Sequence, residues 1–296
     1  MSSLGLSGNS GSSAGTSSSF SLQGTKDFLQ SNSIVAKFAF LLLVIILFVV
    51  ILQMGIAALA WIFSPSGNPH MIDGMIDSKH MLVIQQDPSK DGAKPILRSN
   101  NQRDGIEFTW SVWIYIDNLD YGAGTFKHIF HKGNDDINYT QAPTGLNEPN
   151  NGPGLYITPN KNNLLVIMNT FDKIKEKIII EDVPLNKWIN VMIRVENTTV
   201  DCYINGTITK RHELSGVPFQ NYGNVYMSMN GGFSGYTSNL WYWNYALGTS
   251  HIQSIVDQGP NMTMVGSGMT ESKPRYFSLR WFFSNTGQTS EDYGGI

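Results

Sequence analysis

Apolar side chains are distributed along this chain in three different ways. The first is an unbroken run. Phe38 to Phe63 reads FAFLLLVIILFVVILQMGIAALAWIF, with Gln53 as its only strongly polar side chain. At 1.5 Å per residue such a run rises about 39 Å as a helix, more than the roughly 30 Å hydrocarbon layer of a bilayer. A buried soluble helix keeps a polar stripe, and this run has none. Residues 34–63 are therefore expected to form one transmembrane helix, with Lys37 and Trp61 suiting the two interfaces. Lys26 and Lys37 before the run, against Asp73, Asp77 and Lys79 after it, lean toward a cytosolic N-terminus. Ala58-Leu59-Ala60 has the form of a signal-peptidase site. The run is long for a signal h-region, however, and a polar head precedes it, so a retained anchor is expected.

The second distribution is alternation. In FTWSVWIYID, Phe108, Trp110, Val112, Ile114 and Ile116 share one face. WINVMIRVE does the same with Ile189, Val191, Ile193 and Val195, and NVYMSMN with Val225, Met227 and Met229. Period two over such lengths marks half-buried strands, and many of them separated by turn signals imply a two-sheet sandwich. No helical period longer than about two turns interrupts the strands before GTSHIQSIVDQG near residue 250. The third distribution is near absence. Residues 1–33 are mostly Ser and Gly and cannot build a core, so a disordered head is expected. Residues 64–78, SPSGNPHMIDGMIDS, read as a stalk.

Within CYINGTITK, residues 202–210, the Asn205-Gly206 pair lies between two alternating runs. A type I′ hairpin turn needs positive φ at both central residues, which Asn-Gly supplies. Asn205-Gly206-Thr207 is also a glycosylation sequon, as are the triplets at Asn138, Asn197 and Asn261. In a stretch this rich in Asn, Ser and Thr, such triplets arise by composition alone and do not establish a modification. The single cysteine, Cys202, falls in phase with Val200 and Ile204 and reads as a buried core thiol; alone it makes no disulfide framework.

The order of these pieces carries a resemblance. VPLNKWINVMIRVENTTVDCYINGTITKRHEL resembles the central signature of the laminin-G-like, concanavalin-A-like jelly rolls. In that signature a Trp opens a strand, a short turn follows, and Tyr-x-Asn-Gly closes the next strand. GGFSGYTSNLWYWNYALGTSHIQSIVDQG is similar to the same family's final strand and the short helix after it. The resemblance covers roughly residues 80–260 and implies an all-β, concanavalin-A-like two-sheet sandwich, assigned to 79–260. It departs at Ser238 and Asn239, where relatives often carry acidic residues. The resemblance also implies that the first and last of the strands named above run side by side.

Candidate chemistry is sparse. The formal net charge of -3 gives no basic footprint for nucleic acid. Glycosidases of this fold carry Glu-x-Asp-x-x-Glu on one strand, and no Glu-x-Asp occurs here, so no catalytic residue is expected. Gly11 to Gly15 matches a nucleophile-elbow pattern only inside the Ser/Gly head. His128 and His131 in HIFH are expected on opposite faces of a strand. Asp135, Asp136, Asn138 and Glu148 lie in or next to a long polar loop and fit no EF-hand spacing; a solvated loop is the simpler reading, with calcium as its rival. No cofactor or metal is assigned.

Aromatic residues give the remaining lead. Trp113 and Tyr115 take the outward phase of one strand, and Trp241 and Trp243 that of another, which makes an exposed aromatic patch for a partner. In the tail 261–296, Phe277, Leu279, Trp281 and Phe283 alternate and either cover that patch or dock on a neighbour. Anchor, Asn-rich jelly roll and Arg-Trp-Phe-Phe tail together resemble virion proteins of the phycodnaviruses, large DNA viruses of algae. That resemblance implies a non-catalytic minor capsid or virion membrane protein linking an internal membrane to the capsid shell. Its partners would be the lipid bilayer and other capsid or membrane proteins. The alternative is a membrane-bound lectin with glycan partners.

Overall fold

The structure is a computed structural model that describes residues 33–102 and 105–265. It divides into two units, Met1–Ser64 and Pro65–Ile296. In the first, α1 (Ile34–Ile62) is a 29-residue helix whose side chains other than Ala36 are exposed along its length. A helix this long and apolar could cross a membrane. The tail residues Phe277, Leu279, Trp281 and Phe283 lie outside the described residues, as does nearly all of the head.

The second unit is a two-sheet sandwich. Its strands in chain order are β1 (His70–Asp77), β2 (Leu82–Ile84), β3 (Asn100–Gln102), β4 (Gly105–Ile116) and β5 (Lys127–Gly133). Then come β6 (Ile137–Asn138), β7 (Leu146–Asn147), β8 (Gly154–Ile157), β9 (Leu164–Met168) and β10 (Glu176–Ile180). The last five are β11 (Trp188–Glu196), β12 (Thr199–Ile204), β13 (Thr207–Glu213), β14 (Asn224–Met227) and β15 (Gly235–Trp243), followed by helix α2 (Thr249–Gln258). The front sheet runs β1-β15-β4-β11-β12-β13, with β3 on β4, and the back sheet runs β10-β9-β8-β5-β14-β2. All pairings within the two sheets are antiparallel.

Between the sheets lies one core. Phe108, Trp110, Val112, Ile114 and Ile116 of β4 meet Val191, Ile193 and Val195 of β11, and Val225 and Met227 of β14 close it from the back sheet. The alternating residues expected on these strands line this core, but the strands are not half-buried. Thr109, Ser111 and Trp113 of β4, Asn190 and Met192 of β11 and Tyr226 of β14 are buried on the other face. Met229 lies in a 3-10 turn beyond β14. Cys202 is in the same core, and burial pushes its thiol up to about 12, so it is inert. Asn205 and Gly206 take φ of 49° and 77°, the two positive values the hairpin turn requires.

The stalk needs correction. Residues 70–77 form β1, paired along β15 from His70↔Trp241 to Asp77↔Tyr236. Met71 and Ile72 enter the core, but two register shifts break the alternation, and Asp73 and Asp77 give the stretch a solvated look. Gly74 has φ of 114°, and Val265 and the Thr263 carbonyl come so close that a Cβ there would collide with both. The segment after α2 thus returns along β1, where Met75 N–H donates to Thr263 O and Val265 N–H to Met75 O.

Candidate functional site: an aromatic pocket on the front sheet

The outward face of the front sheet is where sequence reasoning placed Trp113, Tyr115, Trp241 and Trp243. One extra residue in β15 sets this face. Ser238 pairs with Trp113 and Trp241 with Ser111, so three steps on β15 match two on β4. Asn239, at φ 47°, is the bulged residue. Without the bulge Trp241 would share the inward phase of Thr237; with it, Leu240 and Tyr242 enter the core while Trp241 and Trp243 face out.

Outward does not mean exposed. Helix α2 lies over this face with Ile252, Ile255 and Val256, packing on Trp243, Met192 and Leu247. Trp113 and Trp243 are only 6% and 5% exposed, which corrects the expectation of an open patch. The cover comes from α2, since its apolar residues recur at helical spacing on one side. Tyr115 is not part of the group: its ring packs on Trp188 and Tyr236, nearer the other end of the strand.

What α2 leaves open is a pocket of about 320 Å³, lined by Asn68, Trp113, Asn239, Trp241, Trp243, His251, Ile255, Gln258 and Gly259. Its aromatic wall is a continuous row. His70 stacks on Trp241 at 3.8 Å and 9°, Trp241 on Trp243 at 5.6 Å and 18°, and His251 meets Trp243 edge-on at 5.9 Å. Asn68 Oδ1 is buried beside the pocket with no hydrogen-bond partner, while the Asn239 side chain lies within hydrogen-bond reach of His70. An unpartnered atom of this kind costs stability unless something else satisfies it. His70 is held toward its neutral form chiefly by burial, which outweighs Asp73 at 3.9 Å from Nδ1. Among the described residues no carboxylate lines the pocket.

Sequence reasoning found three indoles of this site and missed Asn68, His70 and Asn239. Asn68 and His70 were hidden in the presumed stalk. Asn239 carries a usable signal, since Asn inside an alternating strand tolerates the left-handed conformation a bulge needs.

Two other candidate clusters are structural. His128 and His131 are not on opposite faces. Register slips between His128 and Phe130, and the two rings share one side with His128 Nε2 2.7 Å from His131 Nδ1. The long loop after β5 is not simply solvated. Its hairpin β6–β7 brings Leu146 and Asn147 over the back sheet, where Leu146 packs with Tyr156, Leu165 and Ile167. Glu148 there is occupied by Lys175 at 2.5 Å and Asn138 at 2.7 Å. Among the described residues no three His, Cys, Asp or Glu side chains converge as a metal site needs.

A laminin G family model, described as the concanavalin A-like lectin/glucanases superfamily, matches residues 91–253. That is more than half of the chain, and the chain belongs to this superfamily. No curated protein matches by sequence. Among solved structures the chain is similar to the binding domain of botulinum neurotoxin serotype G, at 12% identity and TM-score 0.43. That match covers 62% of this chain and 46% of the other. It is also similar to the receptor binding domain of botulinum neurotoxin D, at 14% identity and TM-score 0.42, covering 61% and 48%. The chain thus spans about half the length of these structures.

Proposed function

We propose that this member of the superfamily is a non-catalytic, membrane-anchored binding protein, and that its pocket between β15, β4 and α2 holds a glycan. The carrying observation is the conjunction of a stacked indole row with amide side chains at its border, Asn239 beside His70 and Asn68 with its oxygen unpartnered. A pyranose presents a C–H face that lies flat on an indole and a rim of hydroxyls that both donate and accept. Asn68 Oδ1 accepts from such a hydroxyl, and the Asn239 amide, paired with His70 on one side, has capacity for a further bond. Pocket walls without a carboxylate among the described residues support binding rather than glycosidic cleavage, which needs two.

The test is a glycan array probed with the full-length protein in lipid nanodiscs, followed by titration of any retained sugar. Trp241→Ala should abolish retention, and Asn239→Ala should weaken it by roughly tenfold, as for one lost hydrogen bond to a neutral group. Failure of the wild-type protein to retain any glycan, or unchanged retention by Trp241→Ala, overturns the reading.

A second reading is favoured by the front sheet's edge. β13 is the last strand of that sheet among the described residues, and six of its seven residues are exposed. An open edge of this kind accepts a strand from another protein. On the resemblance to phycodnavirus virion proteins, that partner would be a capsid or membrane protein of a virion. Co-purification with virions tests it.

A further inference from the structure

The loops of the sandwich gather at its two ends, and one end displays a cluster of exposed apolar side chains. It is the end where β4 begins, and it holds the loops 169–175 and 214–223 together with the entering segment 65–69. Tyr242 ties these together: its N–H donates to Pro69 O, and its ring shares a narrow gap with Phe219. Here Phe171 is 66% exposed, Ile174 56% and Tyr222 73%, with Val217 and Phe219 beside them. The rings of Phe171 and Phe219 are 4.0 Å apart.

These side chains are held out rather than loosely displayed. Phe171 N–H donates to Val217 O at 3.1 Å, and Phe219 N–H to Asn169 O at 2.9 Å. The buried Asn169 amide in turn donates to Ile174 O and Pro149 O, both at 2.7 Å. Two loops cross-linked in this way cannot fold their rings back into the core. None of the buried side-chain polar atoms that lack a partner belongs to either loop. The surface therefore asks for apolar surroundings without directional contacts, which is what a bilayer interface offers. Lys173 flanks the rings, as cationic groups do at headgroup level, alongside Asp172, while Lys175 is paired with Glu148. Between the last turn of α1 and β1 run only residues 63–69, which reach at most roughly 25–30 Å when extended.

We infer that this end of the sandwich docks on the surface of the bilayer that α1 enters, with Phe171, Phe219 and Tyr222 seated at the headgroup boundary. The inference rests on the membrane-anchored reading, so the experiment probes both. Single cysteines are introduced as Phe171→Cys, Phe219→Cys, Tyr222→Cys, Tyr121→Cys at the opposite end, and Ile45→Cys within α1. The native Cys202 is buried and does not compete for label. Each full-length variant carries an environment-sensitive fluorophore and is reconstituted into phosphatidylcholine vesicles, with and without phosphatidylserine, containing nitroxide-labelled lipid.

Probes at 171, 219 and 222 should lose most of their fluorescence to a headgroup-proximal nitroxide, while the probe at 121 keeps its own. Three sites guard against one variant that misfolds. Quenching at 45 with none at 171, 219 or 222 leaves the anchor standing and overturns docking. Absence of quenching at 45 removes the anchor, and docking falls with it. A signal at 171 that tracks the protein-to-lipid ratio instead of the nitroxide assigns the surface to a second copy of the chain, which also overturns the proposal.

Discussion

Two parts of the sandwich are built from aromatic rings, and they ask for different company. In the front-sheet pocket, Trp241 and Trp243 stack in a row with His70, and the amides of Asn68 and Asn239 border them, Asn68 Oδ1 without a partner. At the β4-start end, Phe171, Phe219 and Tyr222 stand further into solvent, and the loops that hold them leave no buried side-chain polar atom unpaired. Ring content is similar in the two. The polar surroundings differ, and they decide whether the occupant must be a hydroxyl-bearing ligand with fixed orientation or an apolar medium with none.

The largest expected effect separates the two regions by stability. Trp243 is 5% exposed and bears the packing of Ile252 from α2, so Trp243→Ala removes a large buried ring. It should cost about 3–5 kcal/mol, read by chemical denaturation. Phe171→Ala removes a ring that is mostly in water and should cost far less. Equal losses at the two sites would erase the distinction between a packed wall and a displayed surface.

Acid should separate the pocket's strand β15 from a third place, the buried histidines of β5. Met229 N–H donates to His128 Nδ1 at 3.0 Å, so His128 must donate from Nε2 to His131 Nδ1, and His131 from Nε2 to Asn134 O at 2.7 Å. Every step of that chain needs neutral rings. Burial lowers His131 from 6.5 to about 4 and His128 well below its ordinary value. Above 6.5 both states are neutral and nothing is lost, whereas below it the unfolded chain binds protons that the native state refuses. Stability therefore falls as the pH drops from 6.5 toward 4, by on the order of 3 kcal/mol for His131 alone. Because Asn134 leads into the β6–β7 hairpin, hydrogen exchange there should quicken on going from about pH 7 to about pH 5, ahead of the amides of β15. Simultaneous loss in both places would make the chain of histidines a global strut rather than a local one.

Much of this architecture is legible in the sequence, for a physical reason that also explains the gaps. β4, β11 and β14 keep strict period two, so their buried faces read directly, and Asn205-Gly206 announces its turn because few other pairs tolerate two positive φ values. Errors fall where one residue is inserted. The bulge at Asn239 and the slip before Phe130 each invert the phase of the rest of their strand, so His128 and His131 were expected apart. β1 was read as stalk because its register shifts twice and Gly74 interrupts its apolar run. Three indoles of the pocket could be named in advance, but their covering could not. Burial under α2 is a tertiary fact, and Ile252, Ile255 and Val256 show only that one side of the helix is apolar.

The hairpin turn offers a smaller test of how α2 supports the pocket. A Cβ at Gly206 would lie 3.3 Å from Val256 Cγ2 and from Gln253 Oε1, both on α2. Gly206→Val should cost about 1–2 kcal/mol from the left-handed backbone alone. It should also press on the helix that borders the pocket and weaken glycan retention. Asn205→Asp should leave both nearly unchanged, because a carboxylate still accepts the Asn190 N–H that Asn205 Oδ1 receives at 2.8 Å. Loss of retention without loss of stability in Asn205→Asp would point instead to a sugar carried on Asn205.

The smallest expected effect bears on the displayed loops. Tyr222 is 73% exposed and Phe171 66%, and the hydrogen bonds that shape their loops run through the backbone and through Asn169. Tyr222→Ser and Phe171→Ser together should therefore change the unfolding free energy in detergent by no more than about 1 kcal/mol, the ordinary range for surface positions. The same pair in a bilayer should behave differently if the loops lie at the interface, since burying such rings is worth roughly 1.5–3 kcal/mol each. Unfolding of the sandwich in vesicles should then become easier by a few kcal/mol relative to the unaltered protein, while detergent shows almost nothing. A cost that is the same in detergent and in vesicles would mean that these rings hold the loops together and touch nothing beyond them.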